Sequence, residues 1–113
     1  MKRKILLAAL VALSLIAISM PAMAQAPRAD FYADTTYGSA PLHVNFYSMD
    51  VTGHPTSYFW KFESSTNSDW NSHHFGSAVH TFRHPGIYDV SLTVSNSNGK
   101  TTIMKQDYIT VNE

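Results

Sequence analysis

"GIYDVSLTVSN", residues 86–96, carries the clearest pattern in this chain of 113 residues. Tyr88, Val90, Leu92 and Val94 alternate with Asp89, Ser91, Thr93 and Ser95. A two-residue period predicts a strand with one apolar face and one polar face. Pro85-Gly86 precedes the stretch, and Asn98-Gly99 follows it ahead of another strand-like run, which is a hairpin signal.

The same period extends outward. In "PLHVNFYSM" (41–49), Leu42, Val44 and Phe46 alternate with His43, Asn45 and Tyr47. In "SYFWKFE" (57–63), Tyr58, Trp60 and Phe62 share one face, while Phe59 and Lys61 share the other. "KTTIMKQDYITV" (100–111) ends with Ile109 and Val111 on one side, and "ADFYAD" (29–34) and "AVHTF" (78–82) are shorter strand patterns. Turn clusters fall at Gly38–Pro41, Gly53-His54-Pro55, His84-Pro85-Gly86 and Asn96–Gly99. About seven short strands without helical spacing predict one all-β domain, a two-sheet antiparallel sandwich. Its expected core is Phe46, Trp60, Phe62, Phe82, Pro85, Gly86, Tyr88, Val90, Leu92 and Val94, with Trp60 at the centre.

The first 24 residues read differently. Lys2, Arg3 and Lys4 precede an uncharged run from Ile5 to Met20, followed by Pro21-Ala22-Met23-Ala24. A basic head, an apolar run and a small-residue site are the order of a secretory signal peptide. This apolar run of 16 residues is short for a membrane span of about 20. The expected organisation is a signal peptide at 1–24 and a sandwich domain at 25–113, secreted or held at the cell surface, without membrane insertion after cleavage.

The expected mature part has five basic residues against eight acidic, a net charge of −3 with histidine neutral. That balance gives no footprint for nucleic acid, which calls for a basic patch. There is no cysteine, so disulfides, thiol nucleophiles and cysteine–zinc sites are excluded. Stability must come from packing, and all 14 aromatic residues lie after residue 24.

"SAPLHVNFYSMD", "GHPTSYFWKF", "VHTFRHPGIYDVSLTVSNSNG" and "YITV", in that order, resemble a PKD domain (polycystic kidney disease repeat) from about Ala29 to Val111. The resemblance implies an immunoglobulin-like sandwich in a non-enzymatic extracellular module used in adhesion, as a spacer, or to help enzymes engage polymers. Tyr88 looks like the corner tyrosine of such folds, whose hydroxyl bonds back to nearby backbone. After W-x-F the family continues G-D-G, whereas Glu63-Ser64-Ser65 follows Trp60-Lys61-Phe62 here. The calcium sites of some relatives are therefore not carried over. Without glycine a longer connection is expected, and Glu63–Ser77 reads as an irregular binding loop.

No serine sits in a G-x-S-x-G elbow and no carboxylates show paired spacing, so no catalytic residue is assigned and an enzyme is not expected. Binding is expected through Phe59, Trp70, His73, His74 and Phe75, since exposed rings offer large contact area at small entropic cost. In the competing reading, Trp70 or Phe75 folds back over an open end of the sandwich. The expected partner is a cell-envelope protein or glycan, or a second copy through an edge strand. No cofactor is expected. Two alternatives stay open: an accessory subunit of an extracellular hydrolase, and a small metal-binding protein. The latter would use His74, His80 and His84, with His73, Asp69 or Glu63 as further donors. Against it, His80 shares its parity with Phe82 and reads as framework, and His84 reads as part of the turn before Pro85.

Overall fold

The alternation at residues 86–96 becomes a central strand of the larger of two sheets. The computed structural model describes residues 25–73 and 76–113, so the expected signal peptide at 1–24 lies outside the described residues. Eight strands follow one another as β1 (Arg28–Ala33), β2 (Tyr37–Ser39), β3 (Leu42–Thr52), β4 (Ser57–Glu63), β5 (Ser68–His73), β6 (Ser77–Phe82), β7 (Gly86–Asn96) and β8 (Gly99–Asn112). One sheet has the order β1-β3-β6 and the other β2-β8-β7-β4-β5. No helix occurs among the described residues.

The six strand patterns quoted from the sequence, against an expected count of about seven, become eight strands because two further segments pair. Tyr37–Ser39, which overlaps the expected turn at Gly38–Pro41, runs parallel to β8 as a three-residue edge. Among the described residues it is the one parallel pair, the other pairings being antiparallel. Ser68–His73 pairs with β4 across what reads as a loop in the sequence.

The two inner faces meet through aromatic side chains. Trp60 is fully buried and stands edge-on to Phe31, with centroids 5.3 Å apart at 78°. Phe46 lies 5.8 Å from Trp60, 5.1 Å from Phe62 and 6.3 Å from Phe82, and Phe82 lies 4.7 Å from Tyr88. Phe31, Phe46 and Phe82 come from the three-stranded sheet, and Trp60, Phe62 and Tyr88 from the five-stranded one. Val90, Leu92, Val94, Ile109 and Val111 complete the buried cluster. Within it, Trp60 Nε1 is a buried side-chain donor that has no hydrogen-bond partner.

Pro85 and Gly86 depart from the expected core. Pro85 is exposed and Gly86 half-buried, because the β6–β7 connection passes over the surface, where its backbone groups meet water. Their role is to turn the chain so that Tyr88 points inward, and its hydroxyl donates to the His84 carbonyl at 2.7 Å. The β3–β4 turn needs a left-handed residue, and Gly53 supplies it with φ at +79°. A Cβ there would meet Pro27 Cα at 2.7 Å.

Unpaired edges invite aggregation unless they are blunted, and here side chains cap them. Beside β1, Tyr108 Oη accepts the Ala33 N–H at 3.1 Å and Lys105 Nζ donates to the Phe31 carbonyl at 2.7 Å. Asp30 Oδ1 accepts the Phe31 N–H at 2.7 Å. A β-bulge in β8 aims these groups: Asp107 adopts a left-handed φ of +51°, and its N–H donates to Asp89 Oδ1 at 2.8 Å. Beside β5, Asp69 Oδ1 accepts the Trp70 N–H at 2.8 Å, which removes one donor from the edge pairing expected with a second copy.

Two substitutions test this packing by urea denaturation. Trp60→Ala should cost about 3–5 kcal/mol. Tyr88→Phe, which keeps the ring and loses only the bond to His84, should cost about 1 kcal/mol.

Candidate functional site

The segment expected to be a loop from Glu63 to Ser77 is mostly strand. Glu63 pairs with Ser68, leaving only residues 64–67 as the connection. Ser64 organises it: its N–H donates to the Asn67 carbonyl at 2.7 Å, and its Oγ accepts the N–H groups of Asn67 at 3.0 Å and Thr66 at 3.3 Å. A serine side chain that mimics a backbone turn makes glycine unnecessary, and no residue from 63 to 67 has positive φ.

This hairpin presents a side chain array on each side. On β4, Tyr58, Trp60 and Phe62 are buried, while Phe59, Lys61 and Glu63 are exposed. Lys61 lies opposite Trp70, and Phe59 opposite Ser72, so Phe59 and Trp70 are diagonal neighbours across the strand pair. Their rings stack with centroids 5.7 Å apart and planes 21° apart, at 39% and 60% exposure. Diagonal aromatic pairs of this kind reach one another on a pleated surface. Lys61 Nζ pairs with Glu63 Oε2 at 3.1 Å, which neutralises the charge beside the rings. Farther across the face, Thr93 and Thr102 hydroxyls bond at 2.6 Å and Met104 is exposed.

The other side of the hairpin borders a cleft of about 260 Å³ between β5 and β6. Phe62, Phe82 and Tyr88 line its interior, with Asp69, His80, Arg83 and His84 around them. His80 is the largely buried member, its side chain 13% exposed. Its ring lies parallel to Phe62 at 4.2 Å and perpendicular to Phe82 at 4.5 Å. Its Nδ1 stands 3.7 Å from Asp69 Oδ2. Asn71 spans the same flank, donating from Nδ2 to the Val79 carbonyl at 3.4 Å.

The binding residues expected from the sequence are thus divided. Phe59 and Trp70 come together on the outer face, and Trp70 does not fold back over an end of the sandwich. His73 pairs with Tyr58 through the strand register, and His74 and Phe75 lie outside the described residues. His80 and His84 both line the cleft with Asp69, whereas Glu63 faces Lys61 outside it. Among the described residues no three His, Cys, Asp or Glu side chains converge as a metal-binding set. Thr93, Thr102 and Met104 carry no motif in the sequence. Their place follows only from the β7–β8 register, in which Thr93 faces Thr102 and Ser91 faces Met104.

Burial lowers the pKa of the His80 imidazole from its ordinary value, and the Asp69 carboxylate opposes that shift. The unfolded chain therefore binds more protons as pH falls through the histidine range. The His80 contribution to stability is complete above about pH 6.5 and is lost as pH falls through the lowered folded value. Asp34 acts at lower pH, since hydrogen bonds from Asn45 hold its carboxyl below the ordinary value. Melting temperatures recorded from about pH 8 to pH 5 should decline, and His80→Gln should flatten that decline relative to its own value at pH 8.

A model of the PKD domain matches residues 24–111, which span all eight strands up to Val111. A search of curated proteins finds no match. PKD domains are extracellular immunoglobulin-like modules, often involved in adhesion or binding and generally non-catalytic. Among the described residues no helix is long and apolar enough to cross a membrane. The strand order, the corner tyrosine bonded to its turn and the match over most of the chain lead to one conclusion: this chain belongs to the PKD domain family.

Proposed function

We propose that this PKD domain is a secreted, non-catalytic binding module that contacts a cell-envelope protein or glycan through the outer face of its five-stranded sheet. One observation carries the reading: Phe59 and Trp70 are stacked on one another in an exposed position, although neither is needed by the core. Stacked rings form a stiff apolar surface with few torsions left to freeze on binding, and aromatic side chains dominate the energetics of contact surfaces. Around the rings the face is polar, with the Lys61–Glu63 pair and the Thr93–Thr102 pair, and it turns acidic only beyond Glu63, at Asp89 and Asp107. The part beside the rings suits a partner that offers both apolar and hydroxyl-rich area.

The domain scaffold explains how the surface stays in place. β4 is hydrogen-bonded on both sides, to β7 and β5, and Trp60 anchors it from the inner face. Phe59 is therefore displayed from the most constrained strand of the site.

Trp70→Ala removes half of the stacked pair from an edge strand and should leave the melting temperature nearly unchanged. The expected result is at least a tenfold loss of retention on cell envelopes, equal to about 1.4 kcal/mol. Phe59→Ala should weaken retention in the same direction. Protease treatment and periodate oxidation of the envelopes separate a protein partner from a glycan. Undiminished retention of both variants would remove this face from the interface.

A further inference from the structure

We propose that Gln25 is a modification site: once the signal peptide is removed after Ala24, its side-chain amide closes on its own α-amine and the chain begins with a pyroglutamyl residue. The inference rests on the reading of this protein as secreted and goes beyond it to the chemistry of the first residue. In the sequence, Ala22-Met23-Ala24 is followed directly by Gln25-Ala26-Pro27. The packing of the domain begins at the same place. Pro27 is fully buried, and Arg28 opens β1 opposite Thr52. A Cβ on Gly53 would meet the Ala26 carbonyl oxygen at 3.3 Å as well as Pro27, and a Cβ on Gly99 would meet the Ala26 Cβ at 3.2 Å. Ala26-Pro27 is thus wedged between the β3–β4 turn and the start of β8. Asn96 Nδ2 ties the two hairpin ends together by donating to the Gly53 carbonyl at 2.7 Å. Gln25 lies just outside the wedge and is exposed, and no hydrogen bond from another described residue holds its side-chain amide.

The α-amino nitrogen freed by cleavage attacks Cδ of the Gln25 side chain. A lactam C–N bond forms, and the bond from Cδ to the amide nitrogen breaks. Ammonia leaves with the proton given up by the attacking amine, and nothing is oxidised or reduced. The attacking amine has to be neutral, and an ordinary α-amino group titrates at about 7.7–8.0, so a fraction of it is neutral at pH 7. Before cleavage the same nitrogen is part of a peptide bond and does not attack, so the modification belongs to the exported form alone. Ring closure removes the terminal positive charge, as acetylation does. It also leaves no free amine for an aminopeptidase ahead of the Ala26-Pro27 wedge.

The test is to express the full chain in a secreting bacterial host, recover the protein from outside the cytoplasm, and measure its intact mass and amino-terminal sequence. The expected mass is that of residues 25–113 less one ammonia. Sequencing should be blocked until pyroglutamyl aminopeptidase removes the first residue, and should then start at Ala26. Gln25→Asn keeps a side-chain amide that is one methylene too short to close the same ring, and it disturbs no packed residue. Its exported form should retain the ammonia, sequence freely, and lose its first residue to a broad-specificity aminopeptidase that leaves the native protein intact. Residues 25–113 at full mass, with a free Gln25 amine that persists through prolonged incubation at neutral pH, would overturn the cyclisation and leave secretion standing. An uncleaved chain, or one that begins at another residue, would overturn the signal-peptide reading and the proposal together.

Discussion

Two sheets without a single cysteine have to be held together by side chains, and in this domain the joint is the contact of Trp60 with Phe31 and Phe46. An indole of this size removes on the order of 200 Å² from water, and its neighbours extend the cluster to Phe62, Phe82 and Tyr88. The rings come alternately from the two sheets, so the layers interlock. Once Trp60 points inward, the pleat of β4 forces Phe59 and Lys61 outward. The display of the candidate binding face is thus a consequence of the core, as is the position of the hairpin that supports it.

The two flanks of the sandwich are treated differently. Beside β1, the bulge at Asp107 lets Lys105 and Tyr108 reach the β1 backbone, and Lys105 Nζ also sits 5.0 Å from the Phe31 ring centroid. That flank is closed by short contacts to main-chain groups. The flank between β5 and β6 is spanned more loosely, by the 3.4 Å bond from Asn71 and the 3.7 Å approach of Asp69 to His80, and it retains a cleft. β5 therefore serves two surfaces, with Trp70 on the outer face and Asp69 on the cleft.

Strand patterns with one buried face were plain in the sequence because burial imposes the period. The alternation in β4 and β7 follows from cores that accept only every second side chain. β5 lacks that imprint. In "SDWNSH" the only large apolar residue is Trp70, which faces solvent, so no buried face marks the segment as a strand. β2 is shorter than one repeat of any pattern, and its pairing with β8 is a long-range event. The absence of glycine after Phe62 did predict a different connection, but its length was overstated, because Ser64 closes the turn through its side chain. Pro85-Gly86 was legible as a turn, and placing it in the core overlooked that turns lie at the surface.

By itself, the sequence determined the all-β class, the family, the inward parity of Trp60 and the hydroxyl role of Tyr88, all of which depend on local periodicity or on motifs within a few residues. It also marked Phe59 and Trp70 as candidates. Only the tertiary structure decided that these two rings stack, since that needs the register of β4 against β5. It alone brought Asp69 and His80, eleven positions apart on strands of different sheets, to the same cleft. Distances between strands are set by pairing and by sheet-on-sheet packing, and neither is written in the order of residues along one strand.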